Sequence, residues 1–438
     1  MAVETHMSIP WHDYVISEDD VPAAKSSLSE KASVIGRIGM LMLSCGTPAW
    51  RVRNSMNTAA AALGVSCTAD IGAVSLNFTC IDVMEHCTQS ISLPGLTINT
   101  YKLYGTERFI RDFPEKCGSL SIEGIHDILD SISKTPETHS TLMISFAAAA
   151  ACAAFAFLLG AGIYEIICVF FGAFTGQLIR KIILNREYSL FISIGAAAAA
   201  ACAVYALVML LLRLALNIPA DNGAGYICSV LFLVPGFPFI TSLLDLAKLD
   251  LRAGLERLMY SGIVMFVAMA FAWVASLIFG YESESLAGLK LPFALLIILR
   301  LLASFVGIYG FSMLFNSTHK MALAAALVGT VPNVIRLELV QLLDLPVTVA
   351  AFIGAFLAGI IAIIAVKKSG FPRVSITIPS VLVSVPGFFM YQSIYYFGTD
   401  DADNGVNALV KAIGIIFAIS LGILFSRFIA DKRFRHRD

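Results

Sequence analysis

A few polar residues stand where the chain is otherwise apolar, and their types suit the handling of a small solute. Arg300 sits in the middle of the apolar run Leu295–Leu302. A guanidinium there is costly unless it faces a cavity or a partner, and it matches a carboxylate bidentately. A structural ion pair is the alternative. Asn333 and Arg336 follow Pro332 in another apolar run, with Glu338 close behind. Asp245 follows Thr241 and Ser242. A carboxylate beside a cavity can titrate in the working range and carry a proton. An ion pair with Arg257, or a cap on the stretch 246–258, is the structural reading. Tyr391, Gln392 and Ser393 supply hydroxyl and amide groups at a matching point later in the chain.

The matching point is set by a duplication. Ser229-Val230-Leu231 with Val234-Pro235-Gly236-Phe237 and Ser242 recurs as Ser380-Val381-Leu382 with Val385-Pro386-Gly387-Phe388 and Ser393, eight of fourteen positions agreeing. Proline removes a backbone donor and glycine removes side-chain restraint, so each copy breaks a membrane helix. Breaking it frees backbone N–H and C=O groups for a substrate, and the N-terminus of a half-helix attracts carboxylates. Pro235, Gly236, Pro386 and Gly387 are therefore candidate substrate-binding positions. The copies are five apolar segments apart. An odd offset reverses the direction of crossing, which predicts two inverted repeats.

The elements that must carry these residues follow from composition. The chain of 438 residues is 58% hydrophobic and 14% charged, with mean hydropathy +0.81, which excludes a soluble fold and implies a polytopic membrane protein. A net charge of -1 points to no nucleic-acid partner. No phosphate loop, G-x-S-x-G or H-E-x-x-H occurs, which argues against an ATP-driven pump. Glu123 and His126 have metal-pair spacing without further ligands, so a solvated helix face is the reading there, and no metal or cofactor is expected. The nine cysteines contain no Cys-x-x-Cys and read as reduced thiols.

Residues 1–25 read as a disordered tail without a signal peptide. Residues 26–140 read as a cytosolic α+β domain. Its first helix is capped by Ser27 or Ser29 and a second begins at Pro48. Strands are expected over Val65–Asp70, Ala73–Cys80 and Ile98–Leu103, and a closing helix after Ser119 or Ser121. Ten spans follow, at 142–161, 163–179, 189–212, 225–244, 259–280, 291–313, 320–341, 346–366, 375–397 and 405–426. They divide into repeats over 141–285 and 286–438. Pro332 is a candidate third discontinuity. With the N-terminus inside, the inner loops hold Arg180, Lys181, Arg186, Lys248, Arg252, Arg257, Lys320, Lys367, Lys368 and Arg373, and the tail adds Arg427, Lys432, Arg433, Arg435 and Arg437. The outer loops carry Glu282, Glu284, Asp400, Asp401 and Asp403, with little basic charge beyond Arg213 and Lys290. Both termini are expected in the cytosol.

From about residue 30 onward the chain resembles the threonine/serine exporter family, in the form that fuses its two halves. The resemblance rests on Leu43-Ser44-Cys45-Gly46-Thr47 with Arg51-Val52-Arg53, on Pro235-Gly236 leading to Asp245, Gly254 and Arg257, and on Pro386-Gly387 leading to Tyr391. Where the family commonly has a basic residue, Gln392 stands. Gly254 and Arg257 are carried over as a structural motif. The resemblance implies export of small cytosolic metabolites: threonine and serine in some members, C4-dicarboxylates such as succinate in two-chain relatives.

The expectation is a ten-helix bundle of two inverted five-helix repeats behind a soluble α+β domain. It would act as a non-enzymatic secondary exporter in the cytoplasmic membrane, coupled to protons through Asp245. Its partners would be the substrate, protons, the lipid bilayer and a possible second copy. A membrane-embedded enzyme with a catalytic soluble domain, or a passive channel, are the readings of other classes.

Overall fold

The computed structural model describes residues 9–17, 21–117, 119–217, 224–281 and 291–430. The tail residues Lys432, Arg433, Arg435 and Arg437 and the loop residues Glu282, Glu284 and Lys290 lie outside the described residues. The chain forms two compact units. One comprises Met1–Thr138 with Thr241–Leu258, the other His139–Ile240 with Met259–Asp438.

In the first unit, α1 (Leu28–Ser44) opens with a capping box. The Ser27 hydroxyl accepts from the Glu30 N–H while the Glu30 carboxylate accepts from the Ser27 N–H. Glu30 also accepts from the N–H groups of Ile16 and Ser17, at 2.8 and 2.7 Å. Burial alone would raise its pKa; these hydrogen bonds outweigh burial and hold it at about 2. Gly46 turns the chain at φ +80, and Pro48 caps α2 (Ala49–Ala62). Three antiparallel strands follow in the order β1 (Ser66–Ile71), β2 (Ser75–Asp82), β3 (Glu85–Ser92). The first two match expectation. The third is polar and exposed at most positions, so it carries no strong apolar signal.

The expected strand over Ile98–Leu103 is corrected: its second half begins α3 (Thr100–Lys116). The Asn99 side chain caps that helix by accepting from the Lys102 N–H at 2.9 Å. Burial of Leu103, Thr106, Ile110 and Phe113 at helical spacing then overrides local β-propensity. Helix α4 (Ile122–Ser133) starts at its Ser121 cap. The expected disordered tail is corrected as well, because Trp11–Tyr14 form a turn of 3₁₀ helix with Trp11 buried in this unit's core. Trp11 lies 6.2 Å from the His126 ring and 5.8 Å from the Arg37 guanidinium.

His126 is fully buried, with Nδ1 at 3.1 Å from Arg37 Nη1 and Nε2 at 3.0 Å from Ser33 Oγ. A guanidinium can only donate, so Nδ1 accepts and Nε2–H donates to Ser33. Burial, and next the Arg37 charge, push the imidazole pKa down to about 3. Unfolded, it titrates near ~6.5, so between these values the unfolded chain binds a proton that the folded chain refuses. The stability contribution is complete above about pH 6.5 and is lost as pH falls toward about 3. Melting of this unit between pH 7 and 5 should steepen accordingly, and His126→Gln should flatten the slope.

The second unit is helical. Its chain runs through α5 (Thr141–Leu159), α6 (Ile163–Asn185), α7 (Leu190–Leu216), a 3₁₀ segment (Ala224–Leu233) running into α8 (Gly236–Ala247), and α9 (Leu251–Phe279), with Thr241–Leu258 of α8, the turn and α9 counted in the first unit. The same order follows in α10 (Phe293–Leu314), α11 (His319–Leu343), α12 (Val347–Ser369), α13 (Arg373–Val381) with the turn Leu382–Ser384, α14 (Gly387–Gly398), and α15 (Ala402–Ala430). Among the described residues eight helices are long and apolar enough to cross a membrane, or up to ten spans if each bent pair counts as one, so the chain is a multi-pass membrane protein. Helices close up through small residues. A side-chain carbon on Gly172 or Gly176 would lie 2.7 or 2.9 Å from the Ala201 or Ala197 carbonyl of α7, and one on Gly310 would lie 2.5 Å from that of Ala147 in α5. The expected discontinuity at Pro332 is corrected: α11 passes through it unbroken. All nine cysteines are free thiols.

Candidate functional site

Both Pro-Gly copies break a helix, with bends of 60° and 47°. The backbone does the same thing twice. At the first break Val234 N–H donates to Leu231 C=O, Gly236 N–H to Val234 C=O, and Phe239 N–H to Pro235 C=O, at 3.1, 2.8 and 3.1 Å. At the second, Val385 donates to Leu382, Gly387 to Val385, and Met390 to Pro386, at 3.0, 2.9 and 3.1 Å. A bond from Gly back to Val reverses the chain about the proline, and Pro386 at φ -83, ψ 47 is near the inverse γ-turn. The first turns of α8 and α14 thus start at the breaks, where backbone donors lack intrahelical partners.

The two breaks pack on each other reciprocally. A side-chain carbon on Gly236 would lie 2.8 Å from Leu382 and 3.2 Å from Val385; one on Gly387 would lie 2.7 Å from Leu231 and 3.0 Å from Val234. Leu231 and Leu382 hold the same motif position, as do Val234 and Val385. The contact is that of a two-fold, in which each partner presents the same patch to the other. Each glycine, lacking a side chain, lets the partner's Leu and Val methyl groups rest directly on its backbone. Between them is a small cavity of about 20 Å³ lined by these six residues with Phe155 of α5 and Phe311 of α10.

A polar cluster lies on the α11 side. Asn333 Nδ2 donates to Ser304 Oγ at 2.8 Å, and its Oδ1 accepts from Arg336 Nε at 3.1 Å and Ser384 Oγ at 3.4 Å. One amide thereby joins α10, α11 and the turn before the second break. Arg300 forms an ion pair with Glu338, both side chains 14% exposed. The structure therefore takes up the ion-pair alternative for Arg300. Glu338 Oε2 is buried without a hydrogen bond.

Thr241, Ser242, Asp245, Gly254 and Arg257 belong to the first compact unit. Asp245 Oδ1 accepts from the Ala49 N–H at 2.8 Å, capping α2, whose own N-cap Pro48 has no side-chain acceptor. Its Oδ2 lies 3.4 Å from Arg257, whose Nη2 donates to the Thr47 carbonyl at 2.6 Å. Around this pair, Arg53 donates to Asp250, Arg252 pairs with Asp70, and Glu256 accepts from the Ala73 N–H. A side-chain carbon on Gly254 would lie 2.7 Å from Leu246 and 3.0 Å from the Ser242 carbonyl, which explains the small residue ahead of Arg257. The motif is thus a latch between the α8–α9 turn and the Cys45–Pro48 turn. Thr241 and Ser242 are buried there with Asp245, grouped apart from Tyr391, Gln392 and Ser393 on α14.

Sequence reasoning missed Ser304, Ser384 and a set of residues around Tyr391. Tyr226 meets Tyr391 edge to face at 5.6 Å and stacks on Tyr281 at 5.3 Å, and Tyr205 lies 5.8 Å from Tyr281. Glu165 is 5% exposed and accepts from the N–H groups of Gly162 and Gly225 at 2.8 and 2.9 Å. The one signal was an acidic residue in an apolar run. Among the described residues, the only metal-like grouping is His12, Glu123 and Asp127, with ligand atoms within 4.8 Å. Glu123 pairs with His12 rather than His126.

Comparison with known sequences bears on this geometry. A family described as "Putative threonine/serine exporter" matches residues 33–280, and one described as "Threonine/Serine exporter, ThrE" matches residues 300–429. No curated protein and no solved structure matches the chain. The first match takes in the latch motif and the first break, the second takes in the second break. The chain belongs to the threonine/serine exporter family, with both halves fused in one polypeptide.

Proposed function

We propose that the protein is a secondary active exporter that moves threonine or serine outward across the cytoplasmic membrane, driven by protons. The observation that carries this reading is the reciprocal packing of two broken helices around a small, largely apolar cavity. Such breaks serve solute binding at the membrane midplane in transporters built from repeats. The matching element order and the odd offset between copies support inverted repeats with both termini in the cytosol. Alternating access would then rock one repeat against the other about the crossing. The cavity as it stands is too small and apolar for an amino acid, which fits a closed state.

Proton coupling is assigned to Asp245. Neutralising it would remove the charge facing Arg257 and weaken the cap on Ala49, so a proton there would loosen the latch. A C4-dicarboxylate is the second reading, favoured by the donors of Arg336 beside Asn333.

The test is counterflow in proteoliposomes loaded with unlabelled threonine, serine, succinate or nothing. Labelled threonine or serine should enter, and an imposed pH gradient should drive it uphill. Asp245→Asn leaves the Arg257 charge uncompensated, so it is compared per folded protein, where it should keep exchange and lose the uphill drive. Absence of exchange for all three compounds, with folded protein, overturns the exporter reading for these substrates.

A further inference from the structure

We propose that Glu165 and the tyrosines around it form a binding site for a primary ammonium group, the part of an amino acid that a dicarboxylate lacks. The inference rests on the exporter reading and narrows its substrate class.

Three observations carry it. Tyr226 and Tyr391 are each 1% exposed, and each buries a hydroxyl with no hydrogen-bond partner. A buried hydroxyl without a partner is costly, and a ligand with N–H donors relieves it. Second, Glu165 is a buried carboxylate with no cationic partner among the described residues; it is held only by two backbone N–H groups. An acid inside a membrane protein normally faces a cavity, a partner or a substrate. Third, the two features share one location. A point on Gly225, where a side-chain carbon would stand, is 3.1 Å from both Glu165 Oε1 and the Tyr205 hydroxyl. Gly225 precedes Tyr226, whose ring stacks on Tyr281 and meets Tyr391.

The chemistry is that of ammonium recognition. Aromatic faces attract a cation through the ring quadrupole, a carboxylate neutralises it, and phenol oxygens accept its N–H donors. The same groups disfavour a second carboxylate. The site also adjoins the break. Tyr391 is four residues, about 6 Å or one helical turn, beyond Gly387. An α-amino acid could place its ammonium among the tyrosines and its carboxylate toward the first turn of α14, where backbone donors point.

The experiment is binding and counterflow on the full chain with two probes, L-threonine and its deaminated analogue 3-hydroxybutyrate. Tyr226→Phe, Tyr391→Phe and Glu165→Gln are compared with wild type. Half-saturation by threonine should rise at least tenfold in Glu165→Gln and severalfold in each Phe variant, while that for 3-hydroxybutyrate stays within twofold. Equal effects on both probes, or none on threonine in either Phe variant, overturn the site. If Glu165→Gln does not fold, the Phe variants decide alone, since each removes one oxygen. Failure of wild type to move threonine would instead sink the exporter reading.

Discussion

Arg257→Met should destabilise the first compact unit by about 3–5 kcal/mol, and adding Asp245→Asn should recover most of that loss. Both side chains are essentially buried, at 2% and 0% exposure, and their charges face each other at 3.4 Å. Removing one partner leaves a buried charge without compensation, which is why breaking such a pair costs about 3–5 kcal/mol. Removing both charges avoids that penalty. The recovery is incomplete for two reasons. Arg257 also donates to the Thr47 carbonyl, and asparagine is a weaker acceptor than a carboxylate for the Ala49 N–H. The check is hydrogen exchange of α2 in the full chain, where the local opening free energy is read directly. A double variant no more protected than the single one would show that the pair does not carry the latch.

The second large effect is expected at Gly329. An alanine there would put its side-chain carbon 2.1 Å from the Ser380 carbonyl oxygen and 2.8 Å from that carbonyl carbon, both backbone atoms of α13. Backbone cannot rotate away as a side chain can, so α13 must shift or α11 must bend, at a cost of about 1–3 kcal/mol or more. Because α13 leads into the second break, Gly329→Ala should reduce threonine counterflow more than tenfold. Gly307 on α10 is the matched control. Its added carbon would meet nothing closer than Val383 at 3.4 Å, an ordinary contact, and Gly307→Ala should transport normally. Equal behaviour of the two variants would contradict the packing assigned to α13. The first half has a counterpart, since a carbon on Gly172 would lie 3.1 Å from Ser229, the motif equivalent of Ser380.

The ten spans and the two breaks were legible because hydropathy and Pro-Gly act locally. The expected span 225–244 became Gly225–Leu233 with Gly236–Ala247, and 375–397 became Arg373–Ser384 with Gly387–Gly398. Which residues meet was less legible. Asp245 and Arg257 were weighed as a pair, but their grip on Thr47 and Ala49 joins positions about 200 residues apart in sequence. For Arg300 the sequence offers a substrate ligand or an ion pair and does not name the partner, because Glu338 lies on the next helix, at no helical spacing from it. Asn333 was recognised as polar, but Ser304 and Ser384 were not, since single serines in apolar runs carry no pattern. The tyrosines were missed for the same reason: their hydroxyls become conspicuous only when seen buried without partners. In the soluble domain, the Asn99 cap decided a segment that β-propensity misassigned.

The central claim is that the two breaks touch and that transport requires them to move apart. A side-chain carbon on Gly387 would lie 3.0 and 3.9 Å from the two methyl carbons of Val234, within reach of a disulfide between cysteines at these positions. The measurement is uphill threonine accumulation by Val234→Cys/Gly387→Cys, with the nine native cysteines replaced, before oxidation, after oxidation and after reduction. The account predicts activity, then loss once the bridge has formed, then recovery. A bridge confirmed by mass that leaves accumulation undiminished would contradict it.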